Sequence, residues 1–148
     1  MTDAHPTPIR AGDVVTDAMV NHIFQGVLNR ALPRPEWTHQ AHLVFATALL
    51  DAEGLQGAED KAPSLIRAYN ESVGGVNDDT QGYHHTITLL FLRHIHDFLA
   101  PMNRMTPGAR ATCLLASPLA ETDYPLRFYS KARLFSVEAR REWVDPDL

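Results

Sequence analysis

Apolar residues in this chain recur mostly at intervals of three and four, the spacing of one helix face. Val15, Met19, Ile23 and Val27 form the first such stripe. Asp13 or Thr16 stands ready to cap it, because a side-chain oxygen there can accept one of the free backbone N–H groups at a helix start. Pro33 and Pro35 end the element, since proline disfavours helix in the residue before it. Thr38 caps a second helix, whose apolar face runs through Leu43, Ala46, Leu49 and Leu50 to a stop near Gly54. The polar stretch from Gly54 to Lys61 reads as a connection. Pro63 suits the first turn of a third helix, which carries Leu65, Ile66, Tyr69 and Val73 and stops at Gly74-Gly75.

The loop 76–82 offers Asp78, Asp79 or Thr80 as cap for a fourth helix through Ile87, Leu90, Phe91, Ile95 and Phe98 to Pro101. Its apolar stripe is the widest in the chain, which predicts a central position. Arg93 and Asp97, four apart, are placed to pair on its outer side. Pro107 or Gly108 opens a fifth helix that ends before Pro118. Residues 126–131 predict a short helical piece, and Ser136 caps a last helix over 137–143. No stretch of useful length alternates with the period of a strand. The pattern therefore predicts an all-α fold: a compact single-domain bundle of about five main helices with a short C-terminal helix. Pro6, Pro8 and Gly12 with little apolar content predict a flexible N-terminal arm at 1–12 ahead of a single helical domain at 13–148.

Composition narrows the picture. A chain of 148 residues suits one core. The formal net charge of −5 argues against non-specific partners such as nucleic acid or an anionic membrane surface, which call for a basic face. The start, Met1-Thr2-Asp3-Ala4-His5, has neither the basic nor the apolar region of a secretory signal. The apolar run from Ile87 to Leu92 is too short to span a bilayer. Cys113 is the single cysteine, so no internal disulfide is possible, and its apolar neighbours suggest a small buried hydrophobe. The expectation is a cytoplasmic protein with no nucleic-acid or membrane partner; a homodimer stays open.

The chemistry concentrates in histidines. Trp37-Thr38-His39-Gln40-Ala41-His42 puts two imidazoles one turn apart at a helix start, and Gly82-Tyr83-His84-His85-Thr86 opens the next strongly apolar helix. Residues three apart share a helix face, and the i, i+3 spacing also carries ligands in di-iron helical bundles, a likeness of geometry only. Helix N-termini disfavour added positive charge, which favours the neutral imidazole that binds metal. If the two helix starts meet, His39, His42 and His84 would hold one divalent transition metal, zinc, iron or copper, with coordination positions left open for water or substrate. Glu36, Asp78, Asp79 and Glu138 are the carboxylates that could offset its charge. His42, Tyr83 and Glu138 are the candidate catalytic groups. Trp37, before the cap, would wall His42 in the manner of a hydrophobic staple.

That constellation predicts a small metal-dependent enzyme acting on a small, partly apolar molecule. The competing expectation is a metal-free enzyme or ligand-binding helical module with His42 or His84 as acid–base or hydrogen-bonding group. A third is an interaction module in which the histidines are structural. The tail from Phe128 to Arg141 would either fold over the pocket, supplying Tyr129, Arg133 or Glu138, or dock by Leu134, Phe135, Val137 and Trp143 with Lys131, Arg140 and Arg141 in solvent. The chain carries no His-Glu-x-x-His, Cys-x-x-Cys, phosphate-binding glycine loop or Gly-x-Ser-x-Gly.

Overall fold

Thr16, Thr38, Thr106, Ser130 and Ser136 each turn a side-chain oxygen onto a backbone N–H three residues ahead, and each marks a helix start. The computed structural model describes residues 8–148, which are all-α. The helices are α1 (Asp17–Leu28), α2 (His39–Ser72), α3 (His85–Leu99), α4 (Pro107–Leu115), α5 (Lys131–Leu134) and α6 (Val137–Arg141), joined by short 3-10 turns.

α2 is two helices in tandem. Gly54, at φ 71° and ψ 175°, leaves the helical region and bends the chain, and the helix resumes at once. Only glycine takes that conformation without steric cost. The expected polar connection at 54–61 is therefore helical, and Pro63 lies inside the second segment rather than at its start. Asp60 and Lys61 of that stretch are exposed, Glu59 is half-buried, and Ala58 and Ala62 are buried.

The main core is built from α1, both segments of α2, α3 and α4, with Val20, Ile23, Val27, Leu43, Phe45, Leu49, Ile95, Leu114 and Leu115 among its buried members. α2 packs along α3, the contact on which any shared site between the two histidine clusters depends. α4 comes very close to the start of α1: Gly108 donates its N–H to Asp17 Oδ1 at 2.7 Å, and a Cβ on it would lie 2.7 Å from Val15 O. A second, smaller cluster of Leu90, Tyr129, Leu134, Ala139 and Val144 fastens the C-terminal segment to α3.

Of the arm expected at 1–12, residues 1–7 lie outside the described residues; Ile9 is buried in the core, and Gly12 N–H bonds Leu115 O at 2.9 Å. Two other expectations are corrected. Arg93 pairs with Glu59 of α2, at 3.0 and 3.3 Å, and not with Asp97. It also lies over the Trp143 ring at 4.4 Å. Asp78 does not cap α3, because its carboxylate closes its own turn onto the N–H groups of Thr80 and Gln81. His84 is the cap, its Nδ1 accepting from Ile87 N–H.

Candidate functional site

Between α2 and α3, bordered on one side by the tail, lies an open-mouthed cavity of about 430 Å3. That size falls in the range of small-molecule sites. Leu43, Phe45, Leu49, Phe91, Leu92 and Ile95 give it apolar walls, and His39, His42, His84, Tyr83, Asn70, Thr88 and Arg140 bring polar atoms to it. All three expected metal histidines thus line one cavity, as does Tyr83.

His42 is held from two sides. Its ring stacks on Trp37, centroids 3.6 Å apart and planes 28° apart. Its Nδ1 lies 2.7 Å from Thr38 O. A carbonyl can only accept, so Nδ1 carries the proton and Nε2 carries the lone pair. Nε2 has no partner among the described residues, and the ring faces the cavity. Burial among apolar groups lowers the His42 pKa to about 4, against the opposing pull of the Thr38 carbonyl and with a small push from His39. His42 is therefore a neutral imidazole at pH 7, oriented and aimed.

The same donor logic assigns the other two rings. His39 donates Nε2–H to Leu119 O at 3.2 Å, which leaves Nδ1 as acceptor, and its ring meets Phe91 edge-on. His84 donates Nε2–H to Leu134 O at 2.7 Å, while Nδ1 accepts from Ile87 N–H at 3.1 Å. Both nitrogens of His84 are committed to backbone, and no lone pair is left to ligate. Burial lowers the pKa of both residues. Among the described residues no group of three or more His, Cys, Asp or Glu side chains is placed to hold a metal ion. Of the three histidines expected to share a metal ion, His39 and His42 share a cavity wall, and His84 caps α3 and bonds the tail through Leu134 O.

Tyr83 is buried, its hydroxyl 2.8 Å from His85 Nδ1, and burial pushes its pKa up to about 12. It is a phenol at any physiological pH, with Arg67 lying over its ring at 4.7 Å. Glu138 is exposed on α6 and does not line the cavity. The carboxylates named as counter-charges are also elsewhere: Glu36 meets His22 at 2.9 Å and Asp79 meets Arg141.

The tail borders the cavity, but with residues other than those expected. Tyr129 is buried with its hydroxyl on Val144 O, and Arg133 bonds Asp145 O. Phe135 and Arg140 are the tail residues that reach the cavity. Arg140 sits beside Arg141 in sequence, and nothing in that pair distinguishes the residue turned inward from the one turned out. Asn70, expected at the surface, and Thr88 also line the cavity. Thr88 follows His84 by one helical turn, so the face assignment of His84 already placed it on the cavity side. Of the described lining residues only Arg140 is formally charged at pH 7, because the histidines are neutral and no Asp or Glu is present. Comparison with protein families, with characterised proteins and with solved structures yields no match, so the site is interpreted from its own chemistry.

Proposed function

We propose that this protein binds a small, largely apolar molecule in the cavity between α2 and α3, with His42 Nε2 accepting a hydrogen bond from it. The observation that supports this reading most directly is the fixed state of His42: Nδ1–H on Thr38 O, ring stacked on Trp37, free Nε2 on the cavity. A lone pair so placed is a specificity element, because it is accessible in a largely apolar cavity with no protein donor on it, and a ligand with an O–H or N–H at that point can pair with it. The low basicity of His42 favours recognition over catalysis. A general base works best with a pKa near the working pH, and His42 lies at about 4. Metal-dependent chemistry at His39, His42 and His84 is not part of this reading, since His84 has no nitrogen to offer.

A screen of small apolar molecules bearing one hydrogen-bond donor, followed by the ring resonances of His42 and Phe91, tests the proposal. Binders should move both signals, should survive added chelator, and should weaken roughly tenfold in His42→Phe, the loss of about one good hydrogen bond. Absence of any cavity binder, or binding that disappears with chelation, would overturn it.

A further inference from the structure

We infer that the ligand of this cavity is an organic carboxylate with an apolar body, seated on the outer edge of Arg140. The inference rests on the cavity being a ligand site. Arg140 donates from Nη1 to Gly82 O at 3.0 Å and to Tyr83 O at 3.3 Å. Those two bonds fix the guanidinium at the loop that precedes α3. They leave Nε–H and the Nη2 hydrogens free, and Nε–H with one Nη2–H forms the parallel fork that matches the two oxygens of a carboxylate.

No carboxylate side chain lies within ion-pair distance of Arg140 among the described residues. The neighbouring acid, Asp79, feels Arg140 but is engaged by both Nε and Nη2 of Arg141. The contrast with the rest of the molecule is informative. Acidic residues outnumber basic ones, 18 to 13, yet the cavity is lined by one cation and no acid. Such a wall rejects ammonium groups and offers a partner to an anion, while the leucine, isoleucine and phenylalanine side chains reject a ligand that is polar throughout.

The experiment uses the full chain and three probes of one shape, each with a phenol O–H as donor for His42 Nε2: 3-(4-hydroxyphenyl)propanoate, 3-(4-hydroxyphenyl)propanamide and 3-(4-hydroxyphenyl)propylammonium. Binding is measured by calorimetry, and occupancy of the cavity by the methyl signals of Leu92 and Ile95. The carboxylate should bind roughly tenfold to a hundredfold more tightly than the amide, as expected for a charge-assisted hydrogen-bond pair, and the ammonium should bind most weakly of the three. In Arg140→Met the carboxylate and amide should become equal; Arg140→Lys should recover part of the preference. Equal binding of carboxylate and amide to the unaltered protein, with the methyl signals moving, would overturn the carboxylate assignment and leave the cavity reading standing. Failure of all three probes to move those signals would count against both. The comparison in the unaltered protein decides the matter even if the Arg140 variants do not fold.

Discussion

Acidification should unfold this protein in part through His42, and the size of that effect can be worked from its surroundings. In the unfolded chain the imidazole has its ordinary pKa of 6.5; in the folded protein burial lowers it to about 4. Between those values the unfolded chain holds a proton that the folded chain refuses, so stability falls as pH falls. The contribution is fully present above pH 6.5 and is lost on descent through the folded value. The gap corresponds to about 3 kcal/mol at pH 4, of which roughly two thirds is already lost at pH 5. That is a sizeable part of the 5–15 kcal/mol typical of a domain. Urea unfolding of the unaltered protein and of His42→Gln, compared near pH 7.5 and near pH 5, isolates the term. His39 and His84 push in the same direction but are present in both proteins. The unaltered protein should lose about 2 kcal/mol more than the variant on going to the lower pH. Parallel losses in the two proteins, or a His42 ring resonance that titrates near 6.5, would refute the argument.

Three further outcomes are expected. His84→Ala removes the cap on Ile87 N–H and the bond to Leu134 O and should cost about 2–3 kcal/mol in urea unfolding, whereas His84→Asn, which keeps a capping oxygen, should recover about half. Gly108→Ala places a methyl 2.7 Å from backbone atoms of Val15, Thr16 and Asp17; thermal unfolding should show a loss of about 1–3 kcal/mol. Phe135, 61% exposed yet on the cavity, should tolerate replacement by alanine with little change in stability and a measurable loss of ligand affinity in the same calorimetric assay.

What the sequence revealed, and what it hid, follows the range of the interactions. Thr38 as cap, His39 and His42 in the first turn and Trp37 against His42 all depend on residues within five positions of one another, and cap and staple spacing was sufficient to place them. The start of α3 was misplaced for a local reason too. Asp78 had the right chemistry for a cap, but its oxygens are used within its own turn, and the imidazole of His84, a less usual capping group, took the position. Gly54 was recognised as a break, yet a break at a single residue bends a helix where a longer one ends it. The bond of His84 Nε2 to Leu134 O, the pairing of Arg93 with Glu59 and the inward turn of Arg140 depend on partners 34 or more residues away. No periodicity in one chain encodes such a meeting.

The division of the apolar interior has a kinetic consequence. The cavity wall formed by α2 and α3 belongs to the main core, whereas the wall carrying Phe135 and Arg140 is fastened by the small cluster around Tyr129, Leu134 and Val144. Units that bury little apolar surface open more often than the domain unfolds. A ligand can therefore enter by release of the last twenty or so residues while the rest of the helices stay packed. Amide hydrogen exchange should then separate two time regimes, faster over 129–147 and slower over α1 to α4. Occupancy of the cavity should slow the first regime toward the second, because the molecule that enters through the tail also holds it down.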